Sequence, residues 1–242
     1  MTWMMSTTKC KPTAMLTALL DFISPRACRI CGKRLSTAEQ EICTVCNMHL
    51  PRTGYAESPL DNNMARRFWG RFNIERAAAL FFYEAHSAPA RLIHDLKYHG
   101  KEELGEWLGR TAAEEFDDHG FFEGIDIIAP VPITWKRRWK RGYNQSVAIA
   151  RGVSEVTGLP VREKVLKRTH FSHSQTQLSV SERMENVEDA FRIRQHEGIT
   201  GKHILLIDDI VTTGATASAC ATELQKAGAG KVSVMSIGCT KI

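Results

Sequence analysis

The chain has 242 residues, 43% hydrophobic and 24% charged, with a net charge of +5. This is the composition of an ordinary globular protein, and the length allows one large domain or one domain plus a small module. The mild basic excess is not that of a dedicated nucleic-acid binder, and no apolar run reaches the roughly 20 residues needed to span a bilayer.

In chain order, Met15, Leu16, Leu19, Leu20 and Ile23 recur at helical spacing, so residues 1–24 form an extension carrying an amphipathic helix. Lys9 and Lys11 ahead of that segment give it a faint likeness to a secretory leader. Asp21 interrupts the apolar stretch, however, and no small-x-small cleavage site follows. A cytoplasmic protein is expected.

Of the seven cysteines, four follow the pattern C-x2-C-x11-C-x2-C: Cys28, Cys31, Cys43 and Cys46. Each C-x2-C pair offers two thiolates to one metal edge through a tight knuckle, which Gly32 eases. Two knuckles supply the four soft ligands of a closed structural zinc site. Disulfides are the alternative, and a reducing compartment disfavours them. His49 is a spare ligand candidate or a surface histidine. Cys10 is isolated, while Cys220 and Cys239 read as small buried hydrophobes.

Residues 51–70 carry Pro51, Gly54, Pro59 and Asp61-Asn62-Asn63 and read as a linker. The zinc module and linker thus take residues 25–76, and the main domain residues 77–242. A strand is expected over Ala77 to Tyr83, then helices over 88–97 and 102–116 with Leu104, Trp107 and Leu108 on one face. Lys97 ends the first of these, where a cation suits the helix dipole. Ile125 to Val131 reads as a strand leading into a basic loop, ITWKRRWKRGYNQS, and a helix from Tyr143 to Val156. Strands over Leu159–Val165 and Ala190–Ile193, a strand ending at Asp208-Asp209, a helix over 215–228 and a strand from Lys231 to Ile237 complete the series. Strands alternating with helices imply right-handed βαβ units, an α/β fold on a parallel sheet.

The segment His203 to Thr216, HILLIDDIVTTGAT, carries the strongest chemical signal. A buried strand ends in two carboxylates, and a small hydroxyl-rich turn then opens a helix. Ionised carboxylates accept from hydroxyls. A helix N-terminus with exposed backbone N–H groups suits a phosphate. Together they fit a sugar phosphate bound at the carboxyl end of a parallel strand, where such sheets take ligands. A Thr-capped turn with solvated acids is the bland alternative. In the basic loop, Trp135, Lys136, Arg137, Arg138, Trp139 and Lys140 interleave cations with indoles. They read as an anion site, a solvated face or a nucleic-acid patch. Residues 168–189 are polar and aperiodic, reading as a lid or a plain surface loop.

The 203–216 segment resembles the 5-phosphoribosyl-1-pyrophosphate (PRPP) signature of type I phosphoribosyltransferases. Taken with the four-cysteine ribbon, Leu96-Lys97-Tyr98, Pro130-Val131-Pro132, Arg141-Gly142-Tyr143-Asn144-Gln145-Ser146 and QTQLSVSERMEN at 175–186, the chain resembles the ComF/GntX family over about residues 25–240. The resemblance implies a type I phosphoribosyltransferase fold bearing an N-terminal zinc ribbon. It implies that Asp208 and Asp209, the catalytic candidates, hold the ribose hydroxyls, and that Thr212, Thr213, Gly214, Ala215 and Thr216 cradle the 5′-phosphate. Arg141 and Gly142 would meet the pyrophosphate, with Lys97 near the phosphates. Gln175, Gln177, Leu178, Arg183 and Asn186 would belong to a flexible lid. Mg2+ would accompany PRPP. The family is linked to natural transformation and DNA uptake, some members instead to gluconate utilisation, with no settled acceptor. Phosphoribosyl transfer, a non-catalytic competence factor binding PRPP and single-stranded DNA or competence proteins, and a PRPP sensor all remain open.

Overall fold

The computed structural model describes residues 25–98, 101–169 and 190–241. The expected N-terminal helix, Cys10, and the lid residues Gln175, Gln177, Leu178, Arg183 and Asn186 lie outside them. The chain divides into two compact units, residues 1–49 and 50–242.

In the first unit, Ala27 and Arg34 pair in an antiparallel bridge around a knuckle closed by Gly32, whose φ of 74° a side chain would resist. A short helix, α1 (Thr44–Met48), follows the second cysteine pair, and the Cys43 sulfur caps it by accepting from the Cys46 N–H at 3.5 Å. Glu39 clasps the loop between the pairs. Its carboxylate accepts the N–H groups of Ser36 and Thr44 at 2.8 and 2.7 Å, which hold it down at about 2. Leu35 and Ile42 are the buried aliphatics among the described residues of this unit.

The second unit begins with a 3-10 turn, Tyr55–Glu57, and a one-turn helix, α2 (Asn63–Arg66). It continues with β1 (Ile74–Tyr83), α3 (Ala88–Tyr98), α4 (Glu102–Asp117), β2 (Ile127–Pro130), α5 (Trp135–Arg141) and α6 (Gln145–Thr157). The chain then runs through β3 (Leu166–Arg168), β4 (Phe191–Ile193), β5 (His203–Val211), α7 (Ala215–Lys226) and β6 (Lys231–Thr240). Four strands form one parallel sheet in the order β1-β6-β5-β2, and β3 pairs antiparallel with β4. The α/β class on a parallel sheet is therefore as expected. Ile204 to Ile207 are fully buried at its centre, which is why this stretch reads as a continuous apolar run.

Three local expectations are corrected. Residues 51–70 are no linker: Asn62 caps α2 through the Met64 and Ala65 N–H groups, and Met64 and Phe68 are fully buried. The tract WKRRWKR is a helix rather than a loop. Thr134 caps its start and Gly142, at φ 84°, ends it in the left-handed conformation glycine supplies cheaply. Leu159–Val165 is not a strand. Val161 makes only an isolated bridge to Ile128, and regular pairing waits until Leu166. Pro160 has no N–H to give a ladder.

Helices α4 and α6 meet backbone to backbone. A methyl on Gly109 would stand 2.1 Å from the Ile149 carbonyl oxygen, and one on Gly152 would stand 2.0 Å from that of Glu106. Only glycine fits this seam. Beside it, the buried Tyr143 hydroxyl donates to the Leu96 and Lys101 carbonyls, joining the end of α3 and the approach to α4 to the entry of α6.

Candidate functional site

The acid pair occupies the sixth and seventh of the nine residues of β5, which runs on to Val211 rather than ending at the pair, with Asp208 opposite Ser236 of β6. Pro130 of β2 stands opposite Ile207, so the chain leaving β2 toward α5 emerges at the same end of the sheet. Successive strand residues face opposite ways, and the two carboxylates accordingly take different partners. The Asp208 Oδ1 accepts from the Asp209 N–H at 2.9 Å and from Ser146 Oγ, at the start of α6, at 3.3 Å. Asp209 is ion-paired with Lys97, at the end of α3, at 3.1 Å.

Burial, and then the charge of Asp209, push the Asp208 carboxyl up to about 7, far above its ordinary value. Two carboxylates side by side resist joint ionisation, and Lys97 and the hydrogen-bond donors offset only part of that. Such a pair is poised to accept polyol hydroxyls or to share a cation.

Three residues beyond the pair the loop begins: Thr212 and Thr213 are exposed and Gly214, at φ 79° and ψ −1°, opens α7. Gly214 has no side chain to cap this helix, and Thr213 Oγ1 accepts from the Ala215 N–H at 3.4 Å, so its dipole and remaining first-turn amides face the loop. A methyl on Gly214 would approach the Phe68 ring to 2.8 Å. The loop is held from outside: Arg71 Nη1 donates to the Thr213 carbonyl at 2.8 Å, and Thr240 Oγ1 donates to that of Thr212 at 3.4 Å.

The RGYNQS motif has structural tasks in addition to any contact with ligand. Asn144 caps α6 through the Ser146 N–H and donates to the Val131 carbonyl; Gln145 is buried and accepts from Arg141 Nη1 at 2.7 Å. Arg141 and Lys140 lie over the Tyr98 ring, each 5.7 Å from its centre. Trp135 and Trp139 on α5 are 62% and 84% exposed. Arg168, at the end of β3, stacks on buried Phe191 at 5.1 Å; burial and the neighbouring Arg137 lower its affinity for its proton.

The four cysteine sulfurs lie within 4.8 Å of one another, with Cys31 and Cys43 3.8 Å apart. A tetrahedral zinc with Zn–S of about 2.3 Å sets its sulfurs about 3.8 Å apart, so the cluster could hold a zinc ion. Burial pushes the Cys28 thiol up, but backbone N–H donors led by Cys31 and Cys43 outweigh it and bring the group to about 6. Burial and its cysteine neighbours raise Cys46 instead. His49 stands outside the group and bonds the Val45 carbonyl. Cys220 and Cys239 are fully buried. No helix among the described residues is long and apolar enough to cross a membrane.

Sequence reasoning missed the structural role of Ser146 beside Asp208, and missed Phe68, Arg71 and Thr240 behind the loop. Only the serine lay in a motif already singled out. The others come from segments distant in sequence and had no local signal.

No protein-family model matches the chain. It is 28% identical over 220 residues to the DNA utilization protein YhgH of Escherichia coli strain K12, covering 87% of this chain and 95% of that one. It is 30% identical over 110 residues to competence protein F of Haemophilus influenzae, covering 45% and 48%. Among solved structures, the glutamine PRPP amidotransferase of Bacillus subtilis superposes with a TM-score of 0.41 at 22% identity, over 60% of this chain and 30% of that one.

Proposed function

We propose that this chain, a homologue of the YhgH and competence F proteins, binds PRPP and transfers its phosphoribosyl group to an acceptor. One observation carries the reading. The Asp208–Asp209 pair, with Lys97 on one carboxylate and Ser146 on the other, runs into a helix N-terminus opened by Gly214 across the 212–216 loop. Hydroxyl acceptors and a phosphate cradle at that spacing match the two ends of a ribose 5-phosphate.

In this reading Asp208 and Asp209 accept the ribose 2′- and 3′-hydroxyls. The backbone N–H groups of Thr212 to Thr216 take the 5′-phosphate, and Arg141, Gly142 and the cations of α5 face the pyrophosphate. Lys97 limits the charge on the pair. The carboxylate oxygens and the pyrophosphate form the hard donor set Mg2+ requires, and the ion would supply charge neutralisation at the leaving group. The four cysteines hold a structural zinc. A thermal shift tests ligand binding: PRPP with Mg2+ raises the melting temperature if the native state binds it. Release of pyrophosphate from labelled PRPP, acceptor by acceptor, tests transfer. No shift sinks the whole reading; a shift without release with any acceptor leaves a PRPP-binding factor.

A second reading is favoured by α5. Its two exposed indoles stand among five cations, beside a cleft lined by Arg138, Lys167, Arg168 and Arg194 and by Arg151 paired with Glu102 and Glu163. Bases stack on indoles and phosphates follow cations, so this face suits single-stranded DNA, in keeping with the names of its relatives. Binding that weakens steeply with salt, and that is lost in Arg137→Glu with Lys140→Glu, supports it. Unchanged binding by that double variant rejects it.

A further inference from the structure

We infer that Arg71, with the Arg67–Thr240 pair behind it, positions the 212–216 loop so that its amides converge on a phosphate monoester. The inference rests on the sugar-phosphate reading and deepens it. In a trans peptide the carbonyl and the following N–H point in opposite directions. Arg71 Nη1 holds the Thr213 carbonyl at 2.8 Å, so the Gly214 N–H is turned away from Arg71. Thr240 Oγ1 holds the Thr212 carbonyl at 3.4 Å, and Arg67 Nη1 holds that hydroxyl oxygen at 2.9 Å, which turns the Thr213 N–H the same way.

Gly214 then adopts φ 79°, with the Phe68 ring filling the space where a side chain would stand. A left-handed residue after pinned peptides is how consecutive N–H groups form an anion-binding concavity. Thr213 is thus held by Arg71 and Gly214 is packed on Phe68, while Thr212 is held by Thr240, itself fixed by Arg67.

The two arginines differ in what they can give up. Arg67 spends both terminal nitrogens on Thr240, and its buried Nε has no partner among the described residues. Arg71 is exposed, so replacing it removes the positioning bond without opening the core. Arg71 acts through the Thr213 peptide and is a positioning residue.

The test uses the full chain, zinc-loaded, as wild type, Arg71→Met and Arg71→Lys, titrated calorimetrically with ribose 5-phosphate and, separately, with magnesium pyrophosphate. Methionine keeps the length and loses the donor; lysine keeps a donor. Arg71→Met should bind ribose 5-phosphate about tenfold more weakly, the worth of one charge-assisted hydrogen bond. It should leave magnesium pyrophosphate unchanged, and Arg71→Lys should recover most of the loss. Equal binding of ribose 5-phosphate by wild type and Arg71→Met overturns the inference alone. So does an equal loss of both ligands, which marks general damage. A wild type that does not bind ribose 5-phosphate overturns the sugar-phosphate reading with it.

Discussion

Asp208→Asn should make the protein more stable above neutral pH while removing its response to PRPP. In the folded chain the carboxyl sits at about 7 against a reference of 3.8. The native state therefore holds that proton more tightly than the unfolded chain does. The stabilisation from the bound proton is complete below about pH 4 and is lost as pH rises through 7. Above that, the native state carries an ionised Asp208 at a cost of at most about 4 kcal/mol, at about 1.4 kcal/mol for each pH unit between the two values. Asparagine retains an acceptor for the Asp209 N–H and for Ser146 Oγ without the charge. Because Lys97 and solvent share in the relief, a gain of about 2 kcal/mol at pH 8.5 is expected, or about 4–8 °C in melting temperature. Denaturant titrations of both proteins at half-unit steps from pH 4 to 9 should show curves that converge at the acid end and separate through 7. Parallel curves, or a variant less stable throughout, would refute the argument that burial and Asp209 hold this carboxyl high.

The remaining expectations concern other parts of the molecule. Gly152→Ala places a methyl 2.0 Å from a backbone oxygen that cannot swing aside. It should cost about 3 kcal/mol or more, read as a lower denaturation midpoint; a neutral result would mean the α4–α6 seam is looser than described. Cys28→Ser should abolish stoichiometric zinc on metal analysis, and a chelator should destabilise the parent residues 25–49 but not the variant's. Lys97→Met leaves Asp209 without its ion pair, and PRPP binding, followed by thermal shift, should become dependent on Mg2+ at higher concentration than in the parent.

The elements that carry apolar periodicity were legible in the sequence. The run from Ile204 to Ile207, the helices over 88–98 and 102–117 and the cysteine knuckles each write their structure into neighbouring residues. The misread elements failed for two different reasons, one local and one not. Arg137, Arg138 and Lys140 are ordinary helix formers, and the tract reads as a loop only when charge is weighed above propensity and the Thr134 and Gly142 caps. Residues 51–70 have turn-rich composition, yet Phe68 is placed by the loop it supports, more than 140 residues away in sequence. The chemistry of Asp208 was visible as residue type; its raised pKa was not, because that follows from burial and the charge of Asp209, which Ser146 and Lys97, arriving from two other helices, only partly offset.

The glycine seam has a consequence for how this site can change. Ser146 approaches the acid pair from α6, whose spacing from α4 is set by main chain against main chain, and Tyr143 ties the end of α3, which carries Lys97, to the entry of α6. The α4–α6 side behaves as a locked jaw, with no layer of side chains to thin or thicken. Drift at the surface cannot alter the gauge, and a one-carbon change at the seam alters it too much to survive. Selection for a bulkier or smaller ligand must therefore act on the side where the gap is set by replaceable side chains, at Phe68, Arg71 and the 212–216 loop.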